Sequence, residues 1–210
     1  MSPLTAAGLA LLLGFLLGSV PSGYIAGRAR GIDIRTVGSG NLGATNVFRT
    51  LGWPAGVAVL AADISKGVLA AWIGLTLIPA VVVRLPDLTG LIAALGAVLG
   101  HSLSPWVGFR GGKGVATAAG AVLMLAPLPA LAALRVWGLV LATTRVMSVA
   151  SIAGAVVLPV TLALVEFMRG SGEERRWATL IFATVVAAWV IWRHRSNMAR
   201  LREGTESKLW

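Results

Sequence analysis

Cysteine is absent from all 210 residues, which excludes disulfides, thiolate metal sites and a cysteine nucleophile. Charge is scarce as well, at 12% of positions against the roughly 25% of an ordinary soluble domain. Only two histidines and eight carboxylates are available for acid–base work or metal ligation. No basic cluster opens the chain as it would in a cleaved signal, so the first apolar run is expected to persist as a membrane span. What fills the sequence instead is apolar: 57% of residues are hydrophobic, with a net charge of +10. This is the composition of an all-α, polytopic membrane protein. The basic excess suits nucleic acid, anionic lipid or an anionic substrate, and its placement has to decide among them.

A crossing helix needs about 20 apolar residues. Runs of that kind predict seven spans in a single domain over 1–210: Leu4–Gly27, Pro54–Pro79, Leu88–Val107, Gly114–Leu134, a short Val136–Thr144, Ser148–Met168 and Trp177–Trp192. With seven spans, Arg28, Arg30, Arg35, Arg49, Arg110, Lys113, Arg145, Arg193, Arg195, Arg200, Arg202 and Lys208 share one side. Arg84, Arg135, Arg169, Arg175 and Arg176 fall on the other. Twelve against five places the N-terminus outside and the C-terminus in the cytoplasm. The pairs Gly14/Gly18, Gly23/Gly27 and Gly96/Gly100 are G-x-x-x-G spacings that let helix backbones approach closely. Several of the eight tryptophans lie near span ends and read as interfacial anchors.

The same topology brings four polar stretches to the cytoplasmic ends of helices: "GSGNLGATNVFR" (38–49), "GHSLSPWVGFRGGKGVAT" (100–117), "MSVASI" (147–152) and "HRSNMARLREGTESK" (194–208). They are rich in donors and poor in carboxylates, as an anion site requires. Glycines let successive N–H groups curl into one concavity, and a following helix start adds its dipole. Arg49 is suited to a bidentate phosphate clamp and Lys113 to a point charge.

Nucleotide motifs fail on spacing. A Walker loop needs glycine where Val107 stands and Ser or Thr where Gly114 stands. Residues 38–43 fit G-x-G-x-x-G, and Asp63 follows Gly43 at the distance of a ribose-binding acid, but the motif follows a basic linker rather than a strand. Asp33, Glu203 and Glu206 are too few for a metal cluster, so neither metal nor other cofactor is expected. His101 and His194 belong to no serine triad. His194, flanked by Arg193 and Arg195, suits an anion site; His101, at a span end, bridges helices or touches substrate. Asp63 and Lys66, spaced i, i+3 within a span, neutralise each other or serve the phosphate site. Ser148 and Ser151 either bond within the bundle or face substrate. A transporter for a small phosphorylated or anionic metabolite is the rival from another class, although no internal repeat supports it.

Taken with "GSVPSGYIAGR" (18–28) and "DISKG" (63–67), these stretches give the chain a resemblance to the bacterial acyl-phosphate:glycerol-3-phosphate acyltransferase family. The resemblance implies an enzyme of the bacterial cytoplasmic membrane with its site facing the cytoplasm. It would move a fatty acyl group from acyl phosphate to the 1-hydroxyl of glycerol 3-phosphate, as the first step of phospholipid synthesis. Acyl phosphate, glycerol 3-phosphate and membrane lipid are its expected partners, and nucleic acid is not. The residues five after His101 and His194 are Trp106 and Ala199, so the His/Asp base of other bacterial glycerol-phosphate acyltransferases is missing. The resemblance implies that a donor phosphate oxygen takes the proton. Ser39, Gly40, Asn41, Gly43, Thr45 and Asn46 would cradle one phosphate, with Arg49 and Lys113 clamping phosphate charge. Gly111, Gly112 and Gly114 would permit close approach. Ser148, Ser151, His194 and Asn197 would line the pocket beside Lys66, with Glu206 orienting a basic neighbour.

Overall fold

The computed structural model describes residues 1–78, 88–169 and 173–210. Among the described residues the chain is helical between its loops and contains no strand, in agreement with the all-α expectation. It divides into two compact units, Met1–Leu125 and Ala126–Trp210.

The first unit contains α1 (Pro3–Ser19), α2 (Ser22–Arg28), α3 (Ala44–Leu51), α4 (Trp53–Thr76), α5 (Leu88–Ser102), a short 3-10 turn at Pro105–Val107, and α6 (Val115–Leu125). Ser2 caps α1 by accepting the Thr5 N–H at 3.2 Å, and Pro3 occupies an opening position where its missing N–H costs nothing. Pro21 then breaks the run: it bears no N–H, and Val20 before it leaves the helical region. The first span is therefore a broken one, α1 plus α2 over Pro3–Arg28. Carbonyls freed inside a membrane need partners. Ser104 Oγ donates to the Ser19 carbonyl at 2.6 Å and Lys66 Nζ to the Val20 carbonyl at 3.1 Å.

Close glycine packing holds the unit together. A Cβ on Gly14 or Gly18 of α1 would strike the Ala93 or Ala97 carbonyl oxygen of α5, while one on Gly96 or Gly100 would strike the Leu11 or Phe15 carbonyl oxygen of α1. The spaced glycines of the two helices thus face each other reciprocally, and packing is what these pairs do. Gly67 of α4 and Gly120 of α6 meet in the same way, against the Thr117 and Ile64 carbonyls.

The second unit comprises α7 (Pro127–Thr144), α8 (Met147–Met168), α9 (Glu173–Arg193) and α10 (Arg195–Arg202). The last two are bent by 51° about His194.

Among the described residues five helical segments are long and apolar enough to cross a membrane, and the bent pair makes a sixth if it is counted as one span. The expected spans beginning at Leu4, Pro54, Leu88 and Ser148 each start within a residue of such a segment. The expected end at Pro79, and Arg84 beyond it, lie outside the described residues. One expectation is corrected. The division into Gly114–Leu134 and Val136–Thr144 around Arg135 is replaced by a break at Ala126, giving an 11-residue α6 and an 18-residue α7. A lone arginine interrupts hydropathy but not a backbone, whereas Pro127 lacks the N–H that would continue α6 and instead opens α7. Arg135 accordingly lies in mid-helix, exposed, rather than on a loop.

Candidate active site

The 38–49 stretch folds as a closed loop running into α3. Gly38 and Gly40 take left-handed backbone (φ 58° and 68°), which a side chain would strain. Asn46, buried on α3, accepts the Ser39 N–H at 2.9 Å and donates to the carbonyls of Ile34 at 3.2 Å and Val37 at 3.1 Å. Asn41 accepts the Gly43 N–H at 2.8 Å, and the Gly40 N–H goes to Val37. Most groups expected to cradle phosphate therefore hold the loop's own shape. The exposed hydroxyl of Ser39 and the half-buried one of Thr45 are presented on that scaffold, with exposed Arg49 in the last turn of α3.

Beneath it lies a polar cluster centred on Asp63, which is 1% exposed. Lys66 Nζ stands 2.8 Å from Asp63 Oδ1 and His101 Nδ1 stands 3.5 Å from the same oxygen. Ser22, at the start of α2, donates to it as well. A buried carboxylate is tolerated only with such pairing. Ser22, Lys66, His101, Ser104, Gly111 and Gly112 line a small cavity here.

The second glycine stretch packs onto this cluster. The Gly111 N–H donates to the Ser102 carbonyl and the Gly112 N–H to the His101 carbonyl, both at 3.1 Å. A Cβ on Gly112 would fall on His101 Nε2, and one on Gly111 on the His101 carbonyl oxygen. These two glycines thus allow close approach to a histidine of the same chain. Half-buried Lys113 follows directly, and Gly114 (φ 83°) turns the chain into α6.

In the second unit the site expectation resolves into a carboxylate clamp. Glu206 accepts from Ser148 Oγ at 2.8 Å, from Asn197 Nδ2 and, through its other oxygen, from Arg200 Nε at 2.7 Å. Burial raises the pKa of this carboxyl, but the bonds from Asn197, Ser148 and Arg200 together lower it more, so it lies below its ordinary value. Ser151 returns its hydroxyl to the Met147 carbonyl of its own helix. His194 Nδ1 lies 2.7 Å from the Val190 carbonyl, at the bend between α9 and α10.

The chain matches the family described as glycerol-3-phosphate acyltransferase over residues 8–204. A glycerol-3-phosphate acyltransferase of Geobacter sulfurreducens is 44% identical over 197 residues, covering 92% of this chain and 93% of that one. One from Desulforamulus reducens is 42% identical, covering 93% and 91%. The crystal structure of PlsY, an integral membrane glycerol 3-phosphate acyltransferase, in its glycerol 3-phosphate form superposes with a TM-score of 0.83 at 36% identity, covering 96% of this chain and 94% of that one. Its lysophosphatidic acid form gives a TM-score of 0.80 at 35% identity, with the same coverage.

This chain belongs to the glycerol-3-phosphate acyltransferase family. The resemblance carried by its polar motifs is thereby established, and it is a multi-pass membrane protein of that family. Sequence reasoning left open what Asp63 and His101 do in this acyltransferase and passed over Ser22 and Ser104. A signal was present: polar residues inside membrane spans mark function or obligatory pairing. Their assembly was not visible, because Asp63 and His101 come from α4 and α5 and no spacing rule links them.

Proposed function

We propose that this protein transfers a fatty acyl group from acyl phosphate to the 1-hydroxyl of sn-glycerol 3-phosphate, forming 1-acyl-glycerol 3-phosphate and inorganic phosphate. The hydroxyl oxygen attacks the acyl carbon, the bond between that carbon and the phosphate oxygen breaks, and the departing phosphate takes the hydroxyl proton. The observation that carries this reading is the family match over nearly the whole chain, joined to the likeness to an acyltransferase solved with glycerol 3-phosphate. The local chemistry agrees. Both reactants are anions, and the first unit offers Ser39 and Lys113 on two glycine-shaped loops and Thr45 and Arg49 on the helix that follows the first. A mixed anhydride carries a good leaving group, so positioning and charge stabilisation suffice for much of the rate.

The whole chain, 1–210, is read as one acyltransferase, with Gly40, Asn41, Gly43 and Asn46 shaping the first loop; within the second unit, taken by itself, Ser148, Ser151, His194, Asn197 and Glu206 are the proposed binding residues. In this reading the N-terminus is outside, the site faces the cytoplasm, and the membrane is the bacterial inner membrane. Seven passes are kept, with α6 the short one: its 11 residues rise roughly 16 Å, against a hydrocarbon core of about 30 Å. The test is purified protein with acyl phosphate and glycerol 3-phosphate, scored for phosphate and acyl-glycerol phosphate, with acyl-CoA as control donor. Products with acyl phosphate alone are expected; equal rates with acyl-CoA sink the donor assignment.

A further inference from the structure

We propose that the buried pair Asp63 and His101 is a positioning device, setting the Lys113 loop against the break between α1 and α2, and that it accepts no proton from substrate. This rests on the acyl-transfer reading above and adds residues to it. An Asp–His pair beside a cavity invites the opposite conclusion, since a carboxylate that orients an imidazole is the arrangement of a general base. Three features turn the argument the other way.

Asp63 Oδ1 is shared. Besides His101 it receives Ser22 from α2 and the Lys66 ammonium, and Lys66 carries the connection on to the Val20 carbonyl at 3.1 Å. The carboxylate therefore ties α4 and α5 to both sides of the broken first span. The far edge of the imidazole is also covered. A base must come within about 2.6–3.2 Å of the proton it removes, directly or through one water. Here Nε2 faces the Gly112 backbone so closely that a methyl group on Gly112 would overlap it, and the residue is 8% exposed. Finally, the covering turn is bonded to the histidine's own backbone through the Gly112 N–H and His101 carbonyl. The ring is a plate on which the Gly111–Gly112 turn rests, Asp63 fixes its rotation, and Lys113 follows from that turn.

The experiment uses the full chain in phospholipid vesicles as wild type, H101Q, H101A and G112A, with two readouts. One is steady-state kinetics with acyl phosphate and glycerol 3-phosphate. The other is the labelling rate of Lys113 by acetic anhydride, read by mass spectrometry against exposed Lys208, which needs no turnover. The glutamine side chain introduced by H101Q keeps a donor for Asp63 and a planar group under Gly112 but has no basic nitrogen. H101Q is expected to keep kcat within a small factor of wild type and its Lys113 labelling near wild type. H101A and G112A are expected to label faster at Lys113 and to lose about 100-fold in kcat/KM, the scale of a misplaced reactive group. A fall in kcat of H101Q by about 10²–10⁴ with unchanged labelling is the signature of a lost base and overturns the proposal. Unchanged labelling in both H101A and G112A overturns it too. If wild type labels as expected yet transfers no acyl group from acyl phosphate, the reaction assignment fails, and the labelling series still decides whether the pair positions Lys113.

Discussion

Asn46 holds Ser39 in place: its side-chain oxygen accepts the Ser39 backbone N–H at 2.9 Å, while its amide nitrogen donates to two carbonyls earlier in the same loop. A Cβ on Gly38 would meet that same oxygen, so the glycine and the asparagine form one device. Asn46, expected at the ligand, is bonded to the loop formed by residues 34–39. N46A leaves one N–H and two carbonyls without their partner, at about 1–3 kcal/mol for each that water cannot reach. The expected result is a lower unfolding temperature, followed by tryptophan fluorescence, together with a fall in kcat/KM. Lost activity at an unchanged unfolding temperature would return Asn46 to the ligand.

The glycines of α1 differ sharply among themselves. Nothing lies within 4 Å of a Cβ placed on Gly8, whereas one on Gly14 overlaps the Ala93 backbone. G8A is therefore expected to stabilise the helix by roughly 0.5–1 kcal/mol, since alanine loses less backbone entropy. G14A forces α1 and α5 apart, and overpacking costs about 1–3 kcal/mol. Thermal unfolding of the two variants should move in opposite directions. A common direction would mean that the α1–α5 approach is looser than described.

How much of this was legible in the sequence depends on which physical signal each feature emits. Apolar runs announce α4, α5 and α8 because crossing a membrane demands length and hydrophobicity together. Hydropathy alone puts the α6–α7 break at Arg135, which interrupts the apolar run, whereas the backbone obeys Pro127. Glycine clusters report that something comes close without naming it; at Gly112 the neighbour is the imidazole of His101. Glu206 was expected to steady a basic neighbour, and it does contact Arg200, but its reach back to Ser148 on α8 spans 58 positions and has no local signature.

The Glu206 clamp sets an acid limit on stability. Its folded carboxyl lies below the ordinary value of 4.5, because its hydrogen bonds outweigh its burial. A lowered folded value means the clamp contributes fully above the ordinary one and is lost as pH falls through the lowered one. The unfolding temperature of wild type should therefore drop on acidification from roughly pH 5 toward pH 3, and E206Q should start lower and fall less steeply over that window. Parallel curves would show that the carboxylate adds nothing beyond a neutral acceptor. The exposed side of Arg200 limits the size of the effect, since solvent screens that half of the clamp.

Lys113 and Arg49 face the most direct test, because charge moves during the reaction they are assigned. Where the acyl–oxygen bond breaks ahead of the proton transfer, the departing phosphate gains negative charge in the transition state, so a cation beside it binds the transition state more strongly than the ground state. Removing such a contact lowers kcat rather than merely raising KM. K113A is expected to lose about 2.7–4 kcal/mol of transition-state stabilisation, a fall of roughly 10²–10³ in kcat. R49A should behave similarly if Arg49 holds the same phosphate, whereas a rise in KM for glycerol 3-phosphate at constant kcat would assign it to the acceptor instead. K113R separates charge from shape: it keeps the cation but substitutes a planar fork for a point charge, so partial activity is expected. Near-normal kcat in K113A would remove Lys113 from the reacting centre and leave the Gly111–Gly112 turn without the cation it is argued to position.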